Sequence, residues 1–384
     1  VSIRVSRRAA ERLLAGHVWV YASDVTDNGG ASPGSAVSVL DPRGRLLGTG
    51  LYSSTSQIAV RLISREAVDF DAAFIAERIR RAASYRDRVV GNAAAYRLVY
   101  SEADQLPGLI ADRYGEYLVV QLLTQAMDAA APLILAALRE VCAPQGIVLR
   151  NDAPVRAKES LPLEVSVEGD VPDRADFDMN GLRWIADLRH GQKTGLFLDQ
   201  RENYLAAARC ARGRALDCFT STGGFAIHLA PRCEHVDAID ASEAALERAA
   251  ANAALNGVSN VAFRKANVFD ALAAYVSQGA RFDTIVLDPP AFAKSKATVE
   301  KALAGYKEIN VKALRLLGEG GVLVTCSCSH HVSEADFIEM LAAASLDAGR
   351  TLRIRERRSQ AADHPVLLTV PETLYLKCVI AEAV

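Results

Sequence analysis

Cys328 stands in Thr325-Cys-Ser-Cys-Ser329, forty residues after the aspartate of Asp288-Pro-Pro-Ala-Phe292. Each closes an apolar run that reads as a buried strand, 282–288 and 321–327. A thiolate can add to carbon 6 of a pyrimidine, while a carboxyl group can hydrogen-bond N3 and an exocyclic amine. Cytosine carbon 5 is a poor nucleophile until that addition makes it part of an enamine. It can then attack a sulfonium methyl, and loss of its proton permits elimination of the thiol. Cys326 and Cys328 lie two apart and share one face of an extended strand. Ligands of open α/β sheets bind beyond the carboxyl ends of the strands. Cys328 is nearer that edge, level with Asp288, and is the expected nucleophile; Cys326 is expected to be a packed thiol. Phe292 is placed either to stack on a base or to pack under the loop. Lys294 and Lys296 are placed to meet phosphates or to stay solvated. His330 and His331 follow the nucleophile, where one of them is a candidate acceptor for the carbon-5 proton.

A methyl donor is suggested upstream by Asp217-Cys-Phe-Thr-Ser-Thr-Gly-Gly-Phe225. Leu216 to Phe219 ends a buried strand, and Gly223-Gly224 opens the next helix. Asp240 ends the following strand, 23 residues after Asp217, where a carboxylate can bond ribose hydroxyls. The glycines lack the G-x-G-x-x-G spacing of a nicotinamide site, and no Gly-Lys-Ser/Thr follows to cradle phosphates. S-adenosylmethionine carries no phosphate, so this looser loop suits it.

These residues need a sheet to hold them. From about 181 onward, strands at 214–218, 235–240, 261–265, 282–288, 321–327 and 373–380 alternate with helices. That is the pattern of a largely parallel sheet covered on both faces. Ser242 and Gly257 mark the ends of the helix after Asp240, and Asp199 with Glu202 resembles a capping pair. Residues 1–67 are β-rich around Val37, Val39, Ile58, Val60 and Leu62, with a helix near 9–14 and a turn at Asp41-Pro-Arg-Gly44. Residues 68–180 read as α+β, with helices at 70–90 and 129–141 and strands at 118–123 and 147–150. Three domains follow: 1–67, 68–180 and 181–384.

The chain has 384 residues, enough for more than one core. Hydrophobic residues make up 50% and charged residues 23%, the balance of a soluble enzyme. No apolar run reaches the roughly 20 residues of a membrane helix. Arginines among the first twenty residues argue against a secretory signal. The seven cysteines form no C-x-x-C pair, so free thiols in a cytoplasmic setting are expected, with no metal set. The net charge of −2 hides an asymmetry. Residues 1–100 hold fourteen Arg and no Lys against nine acids, a net of +5, which leaves −7 for the rest. A basic front end suits a phosphate backbone.

Taken together, the chain resembles the bacterial large-subunit ribosomal RNA cytosine-5 methyltransferases of the RlmI type. Gly16-His-Val-Trp-Val-Tyr21 resembles the opening of that family's PUA domain, an RNA-binding module. Ser101 to Ile110, Asp112-Arg-Tyr114 and Arg150-Asn-Asp152 resemble its central domain. Gly191 to Asn203 is the most specific match, at the start of the methyltransferase domain. The resemblance implies an α/β protein with a Rossmann-like class I methyltransferase sheet, a β-rich N-terminal PUA domain and a small central α+β domain. It implies S-adenosylmethionine as cofactor and large-subunit ribosomal RNA as partner, with no membrane and with a homodimer left open. Carried over by motif, the cofactor residues are Phe197, Asp199, Gln200, Arg201, Asp217, Thr220, Gly223, Asp240, Asn267 and Asp288, and the nucleophile is Cys328. Asn267 departs from the family, where an aspartate is common. Ala291 stands where another branch of RNA cytosine-5 methyltransferases has a second cysteine for product release, so the base that completes elimination is unassigned. Two rivals compete with this reading. Nitrogen methylation of guanine or adenine would use Asp288-Pro-Pro-Ala-Phe292 without a thiol. A non-catalytic RNA-binding factor would bind RNA without methyl transfer.

Overall fold

Buried, β-branched runs in the second half of the chain form a sheet that orders the site. The structure, a computed structural model, describes residues 1–384 except Asn92, Gln192, Lys193 and Lys294. Chain contacts divide it into two units. One comprises Val1–Asp178, Ala186–Leu196 and Ala362–Thr373; the other comprises Met179–Ile185, Phe197–Ala361 and Leu374–Val384.

The second unit is built on a seven-stranded sheet. Its strands are β1 (Arg214–Cys218), β2 (His235–Asp240), β3 (Val261–Lys265), β4 (Phe282–Leu287), β5 (Leu317–Ser327), β6 (Leu352–Arg358) and β7 (Lys377–Ala383). They lie in the order β3-β2-β1-β4-β5-β7-β6. The first five are parallel, and β7 runs antiparallel to both β5 and β6. Leu216, Cys218, Ile285, Leu287 and Leu323 are buried, as befits central parallel strands covered on both faces. The helices are α1 (Arg201–Cys210), α2 (Gly224–Leu229), α3 (Glu243–Leu255), α4 (Val268–Ser277), α5 (Val299–Leu316) and α6 (Glu334–Asp347). Along α5, Ala302, Tyr306, Ile309, Ala313 and Leu314 recur at helical spacing and face the core. Ser242 caps α3 through the Ala245 amide, and Gly257 takes φ +65° just past its end.

Several details differ from the sequence expectation, among them the start of β5 at Leu317 and the unforeseen strands Ala95–Tyr100, Leu109–Tyr114 and Glu164–Gly169. The last strand is Lys377–Ala383 rather than 373–380, because Pro371–Thr373 forms a 3-10 turn. Strand β6 went unseen: Leu-Arg-Ile-Arg-Glu-Arg-Arg is a charged edge strand that a hydrophobic alternation does not reveal. Asp199 does not cap α1. Gln200 precedes that helix without a side-chain cap, and Asp199 Oδ2 instead accepts from Tyr375 Oη at 2.6 Å.

The first unit holds two sheets. The six-stranded one has the order Trp19–Tyr21, Ile58–Ser64, Leu46–Tyr52, Ala36–Leu40, Ser2–Val5, Val25–Asp27. Helix Arg7–Leu14, capped by Ser6, supplies Ala9, Ala10 and Leu13 to its core. The five-stranded sheet runs Glu164–Gly169, Gly146–Asn151, Tyr117–Leu122, Leu109–Tyr114, Ala95–Tyr100. Helices Ala72–Val89 and Ala131–Cys142 share its core. Among the described residues no helix is long and apolar enough to cross a membrane.

Candidate active site

Register brings the site residues to one edge. Cys218 of β1 lies level with Ile239 of β2 and Leu287 of β4, and Leu287 is level with Thr325 of β5. Asp240, Phe219 and Asp288 therefore stand one step beyond a common row, at the carboxyl ends of their strands. The order reverses between β1 and β4, and such a switch point opens a crevice for ligands.

The loop after β1 is held tightly. Asp217 Oδ2 accepts from Thr220 Oγ1 at 2.6 Å and from the Ala226 amide at 2.9 Å. Asp240 accepts from the Ser221 amide at 2.9 Å through Oδ2 and from the Ser242 amide at 2.8 Å through Oδ1. Phe219 and Ser221 adopt φ of 64° and 49°, a left-handed conformation uncommon for residues with a Cβ. Gly223, at φ +86°, starts α2. Burial, with Asp288 and Asp240 adding to it, pushes the Asp217 carboxyl up to about 7. Asp217 Oδ1 and Ser221 Oγ are buried without a hydrogen-bond partner among the described residues. Buried polar atoms of this kind are costly unless a ligand or water completes them. Asn267, exposed at the end of β3, caps α4 by accepting from the Phe269 and Asp270 amides. That use of Oδ1 leaves its Nδ2 donors without a protein partner among the described residues.

The residues beyond β4 and β5 converge. Gln200 Nε2 donates to Asp288 Oδ1 at 2.9 Å, while Asn203 Nδ2 donates to Gln200 Oε1 at 2.7 Å. Cys328 is half-buried, and its Sγ lies 3.9 Å from the Pro289 carbonyl oxygen. Cys326 is fully buried opposite Cys378 on β7, and burial raises its thiol well above the ordinary range. Ser329 joins three elements: its Oγ meets Tyr306 Oη at 2.9 Å and the Ala293 amide at 3.1 Å, and its carbonyl accepts from Lys377 Nζ at 2.7 Å.

Phe197, Asp199, Gln200, Arg201, Asp217, Thr220, Gly223, Asp240, Asn267, Asp288, Phe292 and Cys328 thus all belong to the second unit. Phe197 is half-buried and its carbonyl accepts from Tyr204 Oη at 3.3 Å, while Arg201 is buried beside Glu202. The Phe292 ring packs 4.6 Å from that of Tyr306 and 6.0 Å from that of Phe269. This packing accounts for Phe292 without a base. Lys294 lies outside the described residues. His330 stacks on Tyr375 with ring centroids 5.2 Å apart, and His331 is exposed. Sequence reasoning missed Lys377, Tyr375, Tyr306 and Ser329. Lys377 heads the apolar run Lys377-Cys-Val-Ile-Ala381, where a lysine reads as solvated, so nothing in the sequence pointed to it.

Comparison with known proteins adds to this geometry. Residues 3–65 match the family model of a PUA-like domain, and residues 211–360 match that of a methyltransferase domain. The ribosomal RNA large subunit methyltransferase I of Shigella boydii serotype 18 is 38% identical over 387 residues, covering 98% of each chain. The protein of that name from Escherichia coli K12 matches equally. A Streptococcus mutans structure assigned to the SAM-dependent methyltransferases superposes with TM-score 0.85 at 19% identity, covering 100% of both chains. A methyltransferase complexed with SAH superposes with the same TM-score, identity and coverage. At this identity the solved structures speak for the fold.

Proposed function

The chain belongs to the ribosomal RNA large subunit methyltransferase I family, and from that premise we propose that it methylates carbon 5 of a cytosine in large-subunit ribosomal RNA, using S-adenosylmethionine and the Cys328 thiolate. The observation that carries the cytosine reading is the half-buried Cys328 beyond β5, with its sulfur against the carbonyl of the residue following Asp288. Nitrogen methylation has no use for a thiol there.

The cofactor fits the loop after β1. Asp240 is positioned for ribose hydroxyls, and the unpartnered Asp217 Oδ1 and Ser221 Oγ await polar groups. The Nδ2 of Asn267, unused within the described residues, suits an acceptor nitrogen of adenine. Phe197, Asp199, Gln200, Arg201, Thr220 and Gly223 complete the proposed cofactor shell. When bound, S-adenosylmethionine supplies an electrophilic methyl on its sulfonium sulfur.

The protein's part follows from its residues. Asp288, oriented by Gln200 and carrying a proton, donates to N3 and accepts from the exocyclic amine of the cytosine. Cys328 sulfur bonds to carbon 6, and the ring electrons shift to make carbon 5 nucleophilic. Carbon 5 takes the methyl as the carbon–sulfonium bond breaks. A base then removes the carbon-5 proton, the 5,6 double bond returns, and the thiolate leaves. Residues 1–67, 68–180 and 181–384 serve as docking, central and catalytic modules in this scheme.

The test is methyl transfer from labelled cofactor to unmodified ribosomal RNA, with mass spectrometry of the product nucleoside. We expect 5-methylcytidine from the wild type and no label with Cys328→Ala. An N-methylated purine nucleoside that survives Cys328→Ala would favour the nitrogen rival. RNA binding without any transfer would favour the non-catalytic one.

A further inference from the structure

Lys377 opens β7 opposite Ser327 of β5, with only 5% of its surface exposed. Its Nζ donates to the carbonyls of Ser329 at 2.7 Å and Tyr375 at 2.8 Å. Those two uncharged acceptors take two of its three donors. Lys377 joins no ion pair among the described residues. A buried ammonium without a counter-charge is unfavourable, so the group that offsets it is worth finding.

The ionisable groups around it come from several elements. The strand β5 and the loop beyond it carry Cys326, Cys328 and His330, and α5 carries Tyr306, which shares Ser329 with Lys377. Cys378 lies next in β7, and Tyr375 just before it holds Asp199. Cys326 and Cys378 are sealed in the core, and burial holds the Tyr306 phenol above its ordinary range. Tyr375 is committed to Asp199 and stacked on His330. Cys328 is the half-accessible thiol, and the Lys377 ammonium is fixed to the carbonyl of the very next residue.

We propose that Lys377 is a positioning residue that keeps Cys328 in its thiolate form, the ammonium acting as the counter-charge. The inference rests on the reading of Cys328 as nucleophile. The thiol proton leaves to solvent before addition, and Lys377 keeps its own protons throughout. When the carbon 6–sulfur bond breaks, the electron pair returns to a sulfur that already faces a positive charge, which eases product release. Burial pulls the Lys377 ammonium down to about 8, and the Cys328 charge acts in the opposite direction. Above that pH the lysine sheds its charge and its support for the thiolate.

The experiment follows iodoacetamide alkylation of the Cys328 peptide against pH by mass spectrometry, on the full chain without RNA. The wild-type midpoint should fall at least about one pH unit below the ~8.5 of a free cysteine. Lys377→Met should raise it by ~1–3 pH units, the usual effect of losing an adjacent opposite charge. Lys377→Arg should hold it near the wild-type value, which a purely structural role would not predict. Equal midpoints in wild type and Lys377→Met would overturn the proposal. If Lys377→Met does not fold, the wild type decides alone, and a midpoint at or above ~8.5 overturns it. The nucleophile reading fails separately. A low midpoint with no adduct on a mechanism-based RNA substrate would sink that reading while leaving the lysine–thiolate pair intact.

Discussion

Asp217 ties the stability of the ligand-free protein to pH. Its folded pKa is about 7 against an ordinary 3.8, because burial disfavours the charged form. A raised acid pKa means that the folded state holds a proton the unfolded chain has released. This contribution is fully present below about pH 4 and is lost as pH rises through about 7. Asp217→Asn should therefore lose less stability than the wild type between pH 5 and pH 8. The difference should be about 1 kcal/mol or more, since each tenfold change in proton affinity is worth ~1.4 kcal/mol. Denaturant unfolding at the two pH values checks this, and parallel losses in both proteins would refute the burial account. The strand-end positions of Asp240, Asp288 and Cys328 were legible in the sequence because each follows an apolar run, and a strand end is where such a sheet binds ligands. Lys377 was not. A lysine at a strand start reads as solvated, and only the neighbouring strand shows that its ammonium is buried.

At the scale of elements, α1 and α2 meet through a glycine rather than through side chains alone. A Cβ on Gly224 would lie 2.5 Å from the Tyr204 ring, which packs edge-on to Phe225 at 4.8 Å and stacks on His228 at 5.1 Å. Gly224→Ala should thus destabilise by about 1–3 kcal/mol through overpacking. Denaturant unfolding measures it, and an unchanged midpoint would show that Tyr204 has room to move. The sequence suggested a cofactor-facing role for the glycine pair. Gly223 does take the left-handed turn, but Gly224 is required by packing. Strands β4 and β5 were legible from their largely continuous apolar runs. Edge strand β6 was hidden because its outward residues are arginines, and β7 was misplaced because the 3-10 turn before it carries no breaker at its end.

Across the whole molecule, the arginine excess of residues 1–100 separates into two populations. Arg12, Arg61, Arg86 and Arg97 are committed to Asp24, Glu159, Asp104 and Asp112 at 2.8, 3.1, 2.6 and 2.8 Å. Arg86 has a side chain with no exposure and also donates to the carbonyls of Arg97 and Asp363. These are structural charges inside the first unit, not an electrostatic footprint. Arg4 and Arg43 are exposed, and such residues remain suited to a phosphate backbone, whereas Arg8, though largely exposed, is paired with Asp24 at 3.0 Å. Charge counting could not separate the two groups, because the carboxylates that neutralise the first are mostly distant in sequence.

The most direct test of the account is a search for the bond it requires. The protein is incubated with S-adenosylmethionine and ribosomal RNA carrying 5-fluorocytidine, whose carbon 5 has no proton to lose. Peptide mass spectrometry should find the RNA nucleotide attached to Cys328, only when the cofactor is present. Active enzyme that methylates unmodified RNA yet leaves Cys328 unmodified by the fluorinated substrate would contradict it.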